Sequence, residues 1–460
     1  MKHHRNLLGL LTILLTLGAS GCAWLRPDRA ARVATGTTAH DLCSETFISR
    51  LDPDQIFSES IKPRPGFEFI APFVSYDVDR QRGEVRATLA GGFLSRAVYR
   101  SDRGCTLVKA HDGELTTLWA PPPAMAVDTK STAMPLAPAP TGVSEAVDEA
   151  FAENVSGALR QTKAVLVLHR GRLIAERYAP DYGPATPVQG FSLSKSVTNA
   201  LLGLLVRDGK LRLDTPILLT GSPDPVVTLE QAMRMTTGLD LDETGSGFDP
   251  ANHLLYVHTQ DMAAFARSAS RKAAPGTRWA YSSASTHLVA RAIHDALGPG
   301  ESVQNFAQQR LFGPLGMERV LIESDETGAP IGAHYTFATA RDWARFGQFF
   351  LEGGVSPNGQ RLLPENWVQW ATTPTINTDY GAGWWLNRRA PGVRGAGYDM
   401  PLMSDVPADA FYGLGNLGQW LVVVPSHRLV VVRLGRAHTP DFDQTGINRL
   451  VSAIINSLAP

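Results

Sequence analysis

The chain has 460 residues, which allows one to three domains, and its formal net charge at pH 7 is −1. It contains no run of Lys and Arg long enough to follow a phosphate backbone, so nucleic acid is excluded as the expected partner. Apolar residues make up 43% of the sequence, which is the fraction expected of a globular protein with a sizeable core.

The N-terminus has the pattern of an export signal. A basic start is followed by the apolar run 7–17 and by small residues that lead to Cys22. Residues 1–22 resemble a bacterial lipoprotein signal, which implies lipidation of Cys22 and a place on the periplasmic side of the cell envelope. Ala19 stands where that pattern prefers leucine, so a plain secreted protein is the alternative. The apolar run is too short to span a membrane, and residues 23–40 are expected to be a linker.

A small β-rich module is predicted for residues 41–112. Its expected strands alternate with turn signals and include residues 67–74, 84–89 and 97–100. An exported chain favours a disulfide between Cys43 and Cys105, and two buried free thiols are the alternative. We find no chemical motif in this module and assign it no role.

A Pro- and Ala-rich linker is predicted for residues 113–142, followed by a larger domain at 143–460. A hairpin at 164–178 and late strands at 420–424 and 429–433 lie at the two ends of this domain. Between them the sequence predicts helices, with capping boxes at Thr228 and Thr339. The order predicts an α/β (α+β) fold: an antiparallel sheet assembled from both ends, covered by helices, with an inserted helical subdomain.

Ser192 and Lys195 form the strongest chemical signal in the chain. They stand three residues apart where an apolar helix begins, so they are expected to share one helical face. A lysine that is desolvated at such a position can lose its proton and then accept one from the serine. A solvated helix start that happens to carry both residue types is the alternative.

A second signal is Tyr281, which follows the turn Pro275-Gly276 and precedes the next predicted helix. A tyrosine at such a junction can pass protons near an active serine, although packing is its more common role. The sequence has no His-x-x-x-His or Cys-x-x-Cys pair, so we expect no metal and no other cofactor.

Taken in order, several motifs of the larger domain resemble the class C β-lactamase and DD-peptidase superfamily of serine hydrolases. The resemblance is greatest to its branch of 6-aminohexanoate-dimer hydrolases and family VIII carboxylesterases. It covers about residues 145–460 and is carried by residues 191–195, 236–239, 275–283, 311–317, 338–347 and 415–419. The N-terminal module lies outside it.

The resemblance implies a β-lactamase/transpeptidase-like fold and an acyl-enzyme mechanism. In it Ser192 is the nucleophile, Lys195 the base and Tyr281 the proton shuttle. The oxyanion is bound by the Ser192 N–H and by a second N–H from the strand around residues 411–415, which places three further candidates at the substrate: Gly413, Leu414 and Gly415. Trp384 is a pocket candidate together with Tyr380 and Trp385, and core packing is the alternative for all three.

Two departures from the family pattern concern the substrate. Ser283 stands where β-lactamases use asparagine, and residues 411–413 lack the cation that binds a substrate carboxylate. A site without that cation should bind penicillins and D-Ala-D-Ala peptides poorly. We therefore expect hydrolysis of a carboxylic ester or a small linear amide. The alternatives are a catalytically weak envelope protein that binds peptidoglycan peptides, and a D-amino-acid peptidase or β-lactamase.

Overall fold

The computed structural model describes residues 27–108, 134–153, 159–220, 227–243, 249–257, 260–376, 378–388 and 402–458. The signal-like segment 1–22 and most of the predicted linker 113–142 lie outside these residues. Within the described ranges, no helix combines the length and the hydropathy needed to cross a membrane.

The N-terminal module consists of a long helix packed on a four-stranded antiparallel sheet. Its strands pair in the order β1-β2-β3-β4, and helix α1 lies across β2, β3 and β4. A disulfide between Cys43 and Cys105 joins α1 to β4. The elements are α1 (Pro27–Phe47), α2 (Pro53–Ile56), α3 (Phe67–Ile70), β1 (Val74–Asp79), β2 (Glu84–Leu89), β3 (Gly92–Arg100) and β4 (Gly104–Val108).

Two sequence predictions for this module were wrong. Residues 27–40 are not a linker, because they form most of α1, whose residues from Ala31 onward are almost all buried. Residues 67–74 are not a strand: they form α3 and a 3-10 turn, and β1 begins only at Val74. Helix α1 is enclosed on all its faces, so it lacks the apolar stripe that marks a surface helix.

The larger domain is organised around a six-stranded sheet in the order β12-β13-β14-β15-β5-β6, in which all neighbouring strands are antiparallel. This confirms the sheet assembled from both ends of the domain. Its strands are β5 (Thr162–His169), β6 (Arg172–Tyr178), β12 (Trp385–Leu386), β13 (Phe411–Gly415), β14 (Gln419–Val424) and β15 (Leu429–Gly435). Two small sheets pair β7 (Val188–Gln189) and β10 (Leu321–Ile322) with β11 (Thr336–Ala338), and β8 (Pro216–Ile217) with β9 (Val227–Thr228).

Helices cover both faces of the six-stranded sheet. α11 packs on one face, while α4 and α13 pack together on the other. Capping boxes at Thr228 and Thr339 start α6 and α11. The helices are α4 (Thr141–Ala150), α5 (Ser194–Arg207), α6 (Leu229–Met233), α7 (Pro250–Tyr256), α8 (Met262–Arg267), α9 (Ser283–Leu297), α10 (Val303–Ala307), α11 (Ala340–Leu351), α12 (Trp367–Ala371) and α13 (Gln444–Leu458).

Buried charged contacts join the module to the larger domain. Glu323 is fully buried and receives a hydrogen bond from Ser44 Oγ at 2.8 Å, and its other oxygen lies 2.9 Å from His40 Nε2. Arg436 forms an ion pair with Glu45 at 2.7 Å, with both side chains 1% exposed. The module is therefore attached through paired charges in the protein interior, and it is more than a loosely tethered appendage.

Candidate active site

Ser192 lies in a tight turn that leads directly into helix α5. The turn is the 3-10 segment Phe191–Leu193, and α5 begins at the next residue. Hydrogen bonds fix it to strand β11: Gly190 N donates to the Thr336 carbonyl at 2.8 Å, and Thr336 N donates to Ser194 Oγ at 3.0 Å. The backbone that carries Ser192 is thus held in place by both α5 and β11.

Lys195 is 1% exposed and makes three short contacts through its amine. Nζ donates to Ser192 Oγ at 3.0 Å, to Ser283 Oγ at 2.9 Å and to the Ala333 carbonyl at 3.3 Å. The Ala333 carbonyl can only accept a hydrogen bond, and the Ser283 hydroxyl can accept one as well. In the neutral amine, the two N–H groups therefore satisfy these partners, and the lone pair is left directed at the Ser192 hydroxyl.

The surroundings of Lys195 favour this neutral form. Burial lowers the pKa of Lys195 to about 8, although the negative charge of Glu243 acts in the opposite direction. His287, one turn below Ser283 on α9, has its pKa lowered to about 3 by burial and by the charge of Lys195, so it is neutral. Lys195 is therefore a base that deprotonates near physiological pH, as an activated serine requires.

Tyr281 lies beside the amine within an aromatic cluster. Lys195 Nζ is 4.8 Å from the centroid of the Tyr281 ring. That ring stacks on Trp385 at 5.5 Å between centroids and meets Tyr380 edge to face at 5.9 Å. Trp279 completes the cluster, at 5.7 Å from Tyr380. The structure thus brings Ser192, Lys195 and Tyr281 together, as the sequence predicts.

Trp384 lies elsewhere, and its interpretation as a pocket residue is corrected. It is fully buried in the core, where its ring contacts Phe350 at 4.5 Å and Phe411 at 5.2 Å. Adjacent residues of an extended segment point to opposite sides. Trp385 is therefore the aromatic residue that faces Tyr281, and Trp384 stabilises the opposite side.

Strand β13 approaches the turn that carries Ser192, and two glycines permit this approach. A Cβ atom at Gly415 would lie 2.2 Å from the Gly190 carbonyl oxygen, and one at Gly413 would lie 2.5 Å from a methyl group of Leu193. Any larger residue at either position would push the strand away. Leu414, between the two glycines, belongs to the same buried apolar cluster as Tyr281. Strand β13 thus lies directly beside the turn that carries Ser192.

The structure also adds residues that sequence reasoning missed. Glu243 N donates to the Tyr281 carbonyl at 3.3 Å, and its carboxylate accepts from Ser283 N at the start of α9. Glu243 thus contacts the backbone on both sides of the Tyr281–Ser283 segment. No local motif marks this glutamate or the Ala333 carbonyl, because both reach the site from distant loops.

Other features of the described residues lie away from this centre. A cleft of about 550 Å³ is lined by residues that include Asp102, His294 and Gln304, and neither Ser192, Lys195 nor Tyr281 borders it. Its shape alone gives it no chemistry. In the described part of the chain, no three His, Cys, Asp or Glu side chains are arranged to hold a metal ion.

Comparison with known proteins identifies the family of the larger domain. The family model described as Beta-lactamase matches residues 147–454, which include all three candidate catalytic residues. A 6-aminohexanoate-dimer hydrolase of Paenarthrobacter ureafaciens is 28% identical over 230 residues, covering 45% of this chain and 56% of that enzyme. The chain therefore matches little more than half the length of this relative.

Two solved structures are similar in fold. A Bacillus anthracis protein assigned as a 6-aminohexanoate-dimer hydrolase has a TM-score of 0.52 and 25% identity, covering 65% of this chain and 78% of its own. A penicillin-binding protein homologue from Caulobacter crescentus has a TM-score of 0.53 and 19% identity, covering 70% and 99%. The second similarity concerns the fold alone.

Proposed function

The chain belongs to the beta-lactamase family of serine hydrolases, and from that premise we propose that Ser192 attacks a carboxylic ester or a small linear amide to form an acyl-enzyme. Lys195 is the base and Tyr281 the proton shuttle. The observation that carries the proposal is the contact between the buried amine of Lys195 and Ser192 Oγ at 3.0 Å. A lysine held there by a hydroxyl and a carbonyl is suited to removing the serine proton.

The proposed reaction has two steps, which are acylation of Ser192 and hydrolysis of the acyl-enzyme. As Ser192 Oγ bonds to the acyl carbon, its proton moves to Lys195, and the oxyanion is bound by the Ser192 N–H and an N–H of β13. One such donor is worth about 3 kcal/mol of barrier. The bond to the leaving alcohol or amine breaks as the Lys195 proton reaches it through Tyr281. Water then attacks the acyl-enzyme, the acid departs and Ser192 regains its proton.

The choice of substrate class rests on two facts. Strand β13 carries the sequence Phe-Tyr-Gly-Leu-Gly, which has no cation for the carboxylate of a penicillin. The Paenarthrobacter relative is named for a linear amide dimer. We accordingly propose that β-lactams are poor substrates, and that short esters and linear amides of aminohexanoate type are better ones.

The test is turnover of p-nitrophenyl acetate and butyrate by the full chain beside Ser192→Ala. The 6-aminohexanoate dimer and a chromogenic cephalosporin are assayed in parallel. Turnover should fall to background in Ser192→Ala and persist in Ser196→Ala, which removes a neighbouring hydroxyl that donates instead to the Gly383 carbonyl. Efficient cephalosporin hydrolysis would contradict the substrate proposal. Equal ester turnover with and without Ser192 would contradict the nucleophile.

We also propose that Cys22 is lipidated and that the enzyme is held at the periplasmic side of the bacterial cell envelope. The basic start, apolar run and small residues before Cys22 support this. Incorporation of labelled palmitate that disappears in Cys22→Ser is the expected result. Release of the unlabelled protein into the soluble periplasmic fraction would contradict it.

A further inference from the structure

One end of the N-terminal module exposes large apolar side chains. We call this surface the apolar end and define it by Phe69, Phe73, Phe93 and Leu94, which are 75%, 61%, 45% and 36% exposed. In the described residues, these four account for half of the eight large apolar side chains exposed to this degree. Clustered exposure of this kind marks a surface that another apolar body covers.

The backbone brings the four residues to one end of the sheet. Strands β2 and β3 are joined by a two-residue loop, Ala90-Gly91, with φ values of 50° and 74°. Phe93 and Leu94 follow this loop after a single residue, Gly92. Ala90 N also donates to the Phe73 carbonyl at 2.8 Å, which places the segment that carries Phe73 beside the loop.

The local backbone is arranged to expose these side chains. Phe93 has a φ of 51°, in the left-handed region that a bulky residue rarely adopts. The pairing of β2 with β3 shifts register between Ala87 and Leu89. In a regular strand, neighbouring side chains point to opposite faces, yet here Phe93 and Leu94 are both exposed. Strained backbone of this kind clusters at functional positions.

Helix α1 runs toward this end when followed back to its N-terminus. Thr35 and Ser95 share a hydrogen bond at 2.8 Å, and the rings of Phe47 and Tyr99 stack at 5.5 Å. Helix α1 and strand β3 therefore run in the same direction. The start of α1 lies two turns, or about 12 Å, before Thr35, which is level with the loop between β2 and β3.

The start of α1 therefore leaves the proposed lipid anchor within reach of the apolar end. Cys22 stands five positions before Pro27, where α1 begins, and five residues span at most about 17 Å. A tether this short raises the effective concentration of membrane surface to the millimolar range, so a weak apolar contact suffices.

We propose that the apolar end of the N-terminal module rests on the lipid bilayer beside lipidated Cys22. The aromatic side chains enter the interfacial layer, as they do in proteins that lie on a membrane. The module thereby sets the orientation of the catalytic domain relative to the membrane. The module itself lies outside the region matched by the family model. The inference rests on the proposed lipidation, and the experiment separates the two.

Two other occupants are possible outcomes of the test. The linker is one, because β4 ends at Val108 opposite Arg96, two residues beyond Leu94, and residues 109–133 follow from that point. A second copy of the chain is the other. The bilayer is favoured because α1, which Cys22 precedes by five positions, begins at the same end of the module as the apolar side chains.

The experiment places the photo-crosslinker p-benzoylphenylalanine at position 93 of the full chain in bacterial cells. The matched control carries it at position 218, where Leu218 is 78% exposed on the larger domain. Phospholipid adducts should be at least about tenfold more abundant at position 93. Adducts to residues 109–133, adducts to a second copy, or equal lipid adducts at both positions would overturn the proposal.

Palmitate labelling of the same cells distinguishes the two proposals. Lipid adducts at position 93 without palmitate on Cys22 would retain the membrane contact and overturn the anchor. Palmitate on Cys22 without lipid adducts at position 93 would retain the anchor and overturn the membrane contact.

A second measurement is binding to phosphatidylglycerol vesicles. The three changes Phe69→Ser, Phe73→Ser and Phe93→Ser, made together in a Cys22→Ser chain, should lower this binding roughly tenfold. Leu218→Ser should leave it within twofold, and equal loss in both would overturn the contact.

Discussion

Two regions of the molecule bury a cation, and they solve the problem differently. At the proposed catalytic centre, Lys195 has two hydroxyls and a carbonyl within reach of its amine. At the attachment of the N-terminal module, Arg436 has the carboxylate of Glu45 at 2.7 Å. Both cations are 1% exposed. The difference in partners decides whether the burial serves chemistry or attachment.

The pKa values follow the partners. Burial without a directly bonded carboxylate lowers the pKa of Lys195 to about 8. Burial acts most strongly and lowers the pKa of Arg436, but the charge and hydrogen bonding of Glu45 and Tyr182 together outweigh burial and raise that pKa. Neutral partners around a buried amine lower its pKa and so make it a base, at a cost in the free energy of folding. A carboxylate partner instead keeps a buried guanidinium charged in a fixed ion pair. Four changes, described from the largest expected effect to the smallest, test this contrast, and two of them have a matched control variant.

Replacing Lys195 by Arg should abolish catalysis. A guanidinium stays protonated at any accessible pH, so it cannot take the Ser192 proton. We expect kcat for p-nitrophenyl butyrate to fall by at least about 10³-fold, the upper range for loss of a general base. Thermal unfolding of the variant serves as the control for folding. A kcat within tenfold of the parent would contradict the role of Lys195.

Glu45→Gln should destabilise the protein far more than it slows the reaction. The change leaves Arg436 buried without its counter-charge, which costs about 3–5 kcal/mol in the free energy of unfolding. Urea denaturation measures the loss, and kcat per folded molecule should stay within about twofold because the pair lies outside the catalytic centre.

Asp214→Asn is the matched control for that change. Asp214 pairs with Arg212 at 2.8 Å, but the two side chains are 66% and 78% exposed. Loss of an exposed pair changes the free energy of unfolding by about 1 kcal/mol or less. Equal losses in Glu45→Gln and Asp214→Asn would show that the buried pair does not hold the module.

Removal of the Cys43–Cys105 disulfide should have a smaller effect on stability. The bond links α1 to β4 across 62 positions, and its loss should cost about 2–4 kcal/mol. The measurement is urea denaturation of Cys43→Ser/Cys105→Ser beside the parent under oxidising conditions. A parent whose stability is unchanged by strong reductant would indicate that the pair is not oxidised in the protein.

Ser283→Ala should have the smallest effect and the most specific one. Its hydroxyl accepts a hydrogen bond from Lys195 at 2.9 Å, which stabilises the ammonium form. Without it the pKa of Lys195 should fall below about 8, so the ascending limb of the kcat/KM profile, where Lys195 loses its proton, moves to lower pH. We expect kcat to fall roughly tenfold, since one positioning hydrogen bond is lost.

Ser282→Ala is the control for Ser283→Ala. Ser282 caps α9 by accepting from Ser285 N at 3.2 Å. Its loss should cost about 1 kcal/mol of stability and leave the pH limb in place. A pH limb that moves equally in both variants would remove Ser283 from the set of groups that tune Lys195.

The sequence predicts those parts of the site that depend on local geometry. Ser192 and Lys195 are three residues apart on one helical turn, so their contact follows from helix periodicity. The capping boxes at Thr228 and Thr339 are equally local. In contrast, Glu243 and the Ala333 carbonyl reach the centre through chain folding over tens of residues, and no spacing rule identifies them.

Helix α1 and the pocket-facing tryptophan were not identified from the sequence, and both failures have simple physical causes. Helix α1 was missed because it is buried on nearly every side and buries polar residues such as Asp41 and Glu45, so its apolar residues do not recur with a period of 3.6 residues. The sequence could not separate Trp384 from Trp385 as pocket candidates, because the side to which each residue of an extended segment points is set by which face meets the core. That face is known only from the folded sheet.

The central claim is that Ser192 is activated by a neutral Lys195, and the rate of fluorophosphonate labelling as a function of pH tests it most directly. The account predicts one adduct, on Ser192, formed at a rate that rises with pH and levels off above about 8. The rise should disappear in Lys195→Met. An adduct on another residue, or a labelling rate at Ser192 that is independent of both pH and Lys195, would contradict the account.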